Sequence, residues 1–175
     1  MHEYAMFDTA LGRCAIAWGP RGIAGVELPG RDDRATRRRI ARALPGATEA
    51  APPADVARAI EEIVALFEGE RRDLAAVVLD MEDVPEFNRR VYELARMVPA
   101  GDTITYGEIA ARIGEPGAAQ AVGRALGSNP FPIVVPCHRV VAADGSLRGF
   151  SAHGGLETKR RMLAFEGAGA PTLFA

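Results

Sequence analysis

Residues 105–128 read TYGEIAARIGEPGAAQAVGRALGS, and this stretch decides the architecture of the second half of the chain. Thr105 is suited to cap a helix, with Glu108 three residues later as in a capping box. The apolar spacing predicts a helix over residues 106–113. Gly114-Glu115-Pro116-Gly117 breaks it, and a second helix is predicted over residues 118–126. Two short helices joined by a tight Gly/Pro turn match a helix-turn-helix, although two packed helices without a DNA role fit the same pattern. The second helix is almost bare of bulk, with Ala118, Ala119, Ala121, Gly123 and Ala125. Such a helix can approach a neighbouring backbone closely, or enter a narrow minor groove whose walls exclude larger side chains. Arg112, Arg124 and Ser128 are placed to meet phosphates, and the helix N-terminus offers free backbone N–H groups.

Upstream, the segment from Ala5 to Leu28 reads as strands. Leu11 to Trp18 is rich in strand formers, Gly19-Pro20-Arg21-Gly22 is a turn, and Ile23 to Leu28 returns. Helices are predicted over residues 34–44 and from Pro52-Pro53 to Gly69, the latter with Val56, Ile60, Ile63, Val64 and Phe67 on its apolar face. Residues 74–79 read as a last short strand. A domain boundary is expected at Asp83-Val84-Pro85, giving domains 1–84 and 85–175. Beyond it, Phe87, Val91, Leu94 and Ala95 share one helical face. A final helix is predicted over residues 156–166, followed by a loose Gly/Ala/Pro-rich tail.

The formal net charge is −2, which does not announce a nucleic-acid binder. Its distribution says more. Residues 1–85 hold 11 Arg against 15 acidic residues, whereas residues 86–175 hold 10 basic against 8 acidic residues. A mildly basic second half hints at an anionic partner. Two cysteines, Cys14 and Cys137, allow neither a disulfide framework nor a Cys-rich zinc pattern, so no metal is expected. A reducing cytoplasm is the expected compartment. No signal peptide and no membrane span are expected.

The chemistry concentrates at Pro136-Cys137-His138-Arg139, after the apolar run Ile133-Val134-Val135. A buried Cys is usually a small hydrophobe. Neighbours on a strand point to opposite faces, so Cys137 and His138 can cooperate only in a turn, at a helical start or through a water. There His138 can take the thiol proton, since the thiolate is the nucleophile. A carboxylate behind the imidazole would fix its tautomer, and Glu166 is a candidate.

With Thr105-Tyr106-Gly107, Ala121-Val122-Gly123, Asn129-Pro130, Pro136-Cys137-His138-Arg139-Val140-Val141, Gly154-Gly155-Leu156, Lys159 and Glu166-Gly167, residues 85–167 resemble the O6-alkylguanine-DNA alkyltransferases. The resemblance implies an α+β fold: an N-terminal antiparallel β-sheet with flanking helices, ribonuclease H-like, before a mainly helical, winged helix-turn-helix-like alkyltransferase domain. It implies DNA repair by direct reversal. A monomer would bind double-stranded DNA through the minor groove and flip the damaged guanine out, at a cost of about a few kcal/mol. Cys137 would then take the alkyl group from O6-alkylguanine, or from O4-alkylthymine, once per molecule and without a cofactor.

By the same resemblance His138 acts as base through a water, oriented by Glu166, and Tyr106 stabilises the leaving guanine. Asn129 braces the turn before the active site. Carbonyls of Val135 and Cys137 read the exocyclic amine, and Ser151, after Phe150, receives O6. His153 lines the alkyl pocket or points to solvent. Ala118, Ala119, Gln120, Gly123, Arg124 and Ser128 form the DNA face. The run Lys159-Arg160-Arg161 reads as a solvated helix face or as a phosphate contact. A lesion-binding sensor of the alkyltransferase-like type, a plain helix-turn-helix regulator and a Cys-His hydrolase are the competing readings. Cys137 speaks against the sensor, which lacks the acceptor.

The chain departs from the family pattern at three places. Phe150 stands where many members have Tyr, and the loop from Phe150 to Gly155 is about two residues longer than the commoner form. Gln120 stands where the family has an Arg that fills the gap left by the flipped base. Gln lacks the charge and the guanidinium plane, so weaker DNA binding is expected, or help from Arg124. A Gln120→Arg variant is therefore expected to bind duplex DNA more tightly in a mobility-shift titration and to react faster. No gain in either would contradict this.

Overall fold

The structure is a computed structural model that describes residues 1–168. The Gly/Ala/Pro-rich tail expected to be loose lies largely outside those residues. Among the described residues the fold is mixed α+β, with a small four-stranded sheet, a two-stranded one and six α-helices. Strands β1 (Glu3–Thr9), β2 (Gly12–Gly19) and β3 (Gly22–Glu27) form an antiparallel meander. Short β4 (Thr48–Glu49) adds to β1 in parallel, giving the order β3-β2-β1-β4.

Strand alternation explains the two layers around this sheet. Cys14, Ile16 and Trp18 of β2 point into the main core, together with Val56, Ala59, Ile63 and Leu66 of helix α2 (Ala54–Phe67). Ala15 and Ala17 face the other way and pack on Ile40 of helix α1 (Asp33–Ala43). Asp32 caps α1, its carboxylate accepting from the Ala35 N–H at 2.8 Å.

The strand expected over residues 74–79 does not form. Only a single bridge, Ile23 with Leu79, remains there. The cause is the Arg96 guanidinium, which donates to the carbonyls of Leu74, Ala75 and Val77 and curls the segment into turns. The segment still touches the sheet, because Ile23 N–H donates to Val78 O and Asp80 N–H to Ile23 O. Gly22, at φ +121°, passes so close to Val78 that a Cβ there would lie 2.6 Å from its carbonyl oxygen.

The second half opens with α3 (Glu86–Ala95), which Pro85 precedes. Short β5 (Ile104–Thr105) runs into α4 (Tyr106–Arg112), and the Thr105 hydroxyl accepts from the Glu108 N–H at 3.0 Å as the capping pattern predicts. Helix α5 (Ala119–Gly127) follows across the Gly/Pro turn. Tyr92 ties α3 to α5, its hydroxyl donating to the Ala125 carbonyl at 2.6 Å. Strand β6 (Val140–Val141) pairs in parallel with β5, and α6 (Gly155–Phe165) closes the fold.

The apolar core is continuous through both halves. Val26 N–H on β3 donates to Pro130 O at 2.9 Å, which fastens the first sheet to the segment leading to Cys137. That segment is a turn rather than a strand. Ile133 sits at φ +77°, a left-handed conformation that costs a β-branched residue roughly 1–2 kcal/mol. The turn is closed by Val135 N–H donating to Phe131 O at 2.8 Å. No described helix is long and apolar enough to cross a membrane.

Candidate active site

Pro136 stops the turn, and Cys137–Arg139 form one turn of 3-10 helix. A helical start of this kind is the arrangement that lets Cys137 and His138 serve one site. The Cys137 thiol lines a cavity of about 250 Å³, together with Tyr106, Asn129, Phe150, Ser151 and Ala152. His138 is fully buried behind it.

Glu166, at the end of α6, meets His138 and Arg139 with a side chain of 0% exposure. His138 Nε2 lies 2.8 Å from Glu166 Oε1. Arg139 binds the same carboxylate in a fork, Nε donating to Oε2 at 2.9 Å and Nη2 to Oε1 at 2.7 Å. Its Nη1 donates to Val98 O at 2.7 Å. Burial raises the Glu166 carboxyl, but the hydrogen bonds and charges of His138 and Arg139 outweigh it and bring it down to about 2. An ionised carboxylate only accepts, so Nε2 carries the imidazole proton and Nδ1 presents a lone pair. Nδ1 has no hydrogen-bond partner among the described residues.

Burial pushes the His138 imidazole below its ordinary 6.5, against the pull of Glu166. At pH 7 it is therefore a neutral base. Burial also pushes the Cys137 thiol above 9.0, although Asn129 and Lys159 draw it back. The resting nucleophile is a thiol that needs a base beside it.

Asn129 braces the turn with both ends of its amide. Nδ2 donates to Val135 O at 3.0 Å, and Oδ1 accepts from Phe131 N–H at 2.8 Å. The Val135 carbonyl also accepts from Cys137 N–H at 2.7 Å, so within the turn it carries two hydrogen bonds. Of the two expected placements of His153, the structure has the exposed one, outside the cavity lining, because the left-handed Gly154 turns the chain and Thr158 holds the His153 carbonyl at 2.6 Å.

Lys159 departs from expectation, since it is buried rather than solvated or free to meet a phosphate. Its Nζ donates to Val140 O at 2.7 Å and Arg148 O at 3.0 Å, and lies 5.9 Å from the ring centres of Tyr106 and Phe150. Burial brings its ammonium down to about 8, against the pull of Cys137. The signal was in the sequence: Lys159, Met162 and Leu163 fall on one helical face, and all three are buried. Arg160 and Arg161 remain exposed. The Tyr106 hydroxyl donates to the same Arg148 carbonyl at 3.1 Å, and burial raises its phenol.

On α5, Val122, Ala125 and Leu126 face the core. Gln120, Arg124 and Ser128 are exposed at i, i+4 and i+8, so they share the outer face. Ala119 and Gly123 are half-buried, and a Cβ on Gly123 would lie 3.9 Å from the Tyr106 ring. Ala118 stands before the helix and packs on the core. Glu27 and Arg39 also line the cavity, and no local pattern around either residue signals it.

The Glu166 cluster predicts a pH dependence of stability. The carboxyl sits lower in the fold than its ordinary 4.5, so its contribution is full above about 4.5 and is lost as pH falls toward 2. Glu166→Gln leaves Arg139 buried without a carboxylate, at a cost of about 3–5 kcal/mol near neutral pH. Urea unfolding across pH is expected to show this gap closing between about 4.5 and 2. A gap independent of pH would contradict the assignment.

Residues 86–168 match the family described as "6-O-methylguanine DNA methyltransferase, DNA binding domain". A methylated-DNA–protein-cysteine methyltransferase of Mycolicibacterium paratuberculosis is 40% identical over 99% of both chains. One from Methanothermobacter thermautotrophicus is 32% identical over 87% of this chain and 78% of its own. Among solved structures, the O6-methylguanine methyltransferase of Mycobacterium tuberculosis superimposes with a TM-score of 0.77 at 34% identity, covering 100% of both chains. The M. tuberculosis protein described as OGT in complex with DNA gives 0.77 at 34% identity, over 94% of this chain and 92% of that one. With a relative of this identity aligned along its whole length, the chain belongs to the methylated-DNA–protein-cysteine methyltransferase family.

Proposed function

We propose that this protein repairs DNA by direct reversal, moving the alkyl group of O6-alkylguanine onto Cys137. The observation that carries the reading is the cavity-facing thiol backed by the buried His138–Glu166 pair. His138 Nδ1 takes the thiol proton through a water, and Cys137 Sγ attacks the alkyl carbon. The S–C bond forms as the C–O6 bond breaks, and the leaving guanine needs its negative charge stabilised. Tyr106 supplies that hydrogen bond by exchanging Arg148 O for the base, and Ser151 receives O6. The thioether is a poor leaving group, so each molecule acts once.

The target base reaches the cavity by flipping out of duplex DNA. The outer face of α5, with Gln120, Arg124 and Ser128, lies along the minor groove, and Ala119 and Gly123 keep the approach free of bulk. We read the chain as a cytoplasmic monomer. Residues 1–84 form a ribonuclease H-like domain and residues 85–175 a winged helix-turn-helix-like one. A lesion sensor is disfavoured, because an acceptor cysteine is in place.

Incubation with a duplex containing O6-methylguanine is expected to add one methyl to the intact mass, and Cys137→Ser to abolish the gain. Tight lesion binding with no mass gain would overturn the transferase reading in favour of the sensor.

A further inference from the structure

The cavity wall opposite the second half comes from the first. Val26, Glu27 and Leu28 at the end of β3, and Arg39 on α1, line the same 250 Å³ as Cys137. Among the described residues, Glu27 is the one carboxylate in that lining and Arg39 the one guanidinium. Arg39 Nε lies 3.4 Å from Glu27 Oε2, but this contact lacks hydrogen-bond geometry and Nε has no hydrogen-bond partner among the described residues. Nη2 donates to the Leu28 carbonyl, which fixes the guanidinium against the wall. Nη1 has no hydrogen-bond partner among the described residues. The pair is loosely made: its side chains are 30% and 23% exposed, and burial pushes the Glu27 carboxyl up.

A guanidinium held in place with unused donors is suited to a carboxylate. Resting on the alkyl-transfer reading above, we propose that Arg39 is a specificity-determining residue that selects O6-alkyl groups ending in a carboxylate, such as carboxymethyl. Glu27 competes for the same guanidinium and occupies it while the adduct is neutral. The transfer chemistry is unchanged. Cys137 Sγ bonds to the methylene carbon, the C–O6 bond breaks, and guanine leaves with the electron pair. The product is S-carboxymethylcysteine, whose carboxylate stays beside Arg39. An adduct of the same size with a neutral amide terminus gains no ion pair there.

The test is single-turnover transfer from duplexes carrying O6-carboxymethylguanine or O6-carbamoylmethylguanine, with O6-methylguanine as reference. Both rates are measured on each protein, so their ratio is insensitive to a general loss of activity or folding. In the unaltered protein carboxymethyl is expected to react roughly tenfold faster than carbamoylmethyl, the order of one charge-assisted hydrogen bond. Arg39→Met brings the ratio to about one, Arg39→Lys retains part of it, and Glu27→Gln raises it. A starting ratio at or below one, a ratio that Arg39→Met leaves unchanged, or one that Glu27→Gln fails to raise would overturn the proposal. Failure of the methyl reference itself would instead overturn the transferase reading.

Discussion

A carboxylate without exposed surface, Glu166, sits between a guanidinium and an imidazole, and the site depends on it. Removing an ion from water is expensive unless its hydrogen bonds are made. Glu166 meets that condition with three contacts of 2.7 to 2.9 Å, two from Arg139 and one from His138. Arg139 anchors the cluster through the Val98 carbonyl, so the end of α6, the 3-10 turn and the segment after α3 meet at one point. The cluster also sets the tautomer of His138 and leaves its Nδ1 lone pair unused. Stability and chemistry draw on the same carboxylate.

Features written in short-range spacing were legible beforehand. Thr105 and Glu108 announced the start of α4, Gly and Pro announced its end, and the alanines of α5 announced a helix able to approach something closely. Cys137 and His138 stood out through their setting, and Glu166 through resemblance. What the sequence hid was long-range. Nothing near residues 74–79 says that Arg96, some twenty residues on, takes three of their carbonyls. Nothing in Val135 says that its carbonyl is already doubly bonded, because backbone acceptors leave no trace in residue type. Lys159 was legible but masked, since the adjacent Arg160 and Arg161 made a solvated run look simpler than a buried lysine on the Met162–Leu163 face.

The first half of the chain also looks different in three dimensions. Its sheet and helices read as scaffold, and Arg39 is inconspicuous in a helix with Arg37 and Arg38 beside it. Only folding brings Arg39 and Glu27 to the rim of the cavity that Cys137 faces. The Val26 to Pro130 hydrogen bond and the continuous core hold that wall against the strained turn at Ile133.

The central claim is that the protein rests as a thiol with a neutral base, rather than as a preformed thiolate. Cys14 cannot obscure the matter, since burial pushes its thiol up to about 12. Ultraviolet thiolate absorbance, taken as the difference between the protein and its Cys137→Ser variant, reads the one remaining thiol across pH. Because burial pushes the Cys137 thiol above its ordinary value, the account predicts little or no difference at pH 7, with the signal rising only in the alkaline range. A full thiolate signal with a midpoint below pH 7 would contradict it.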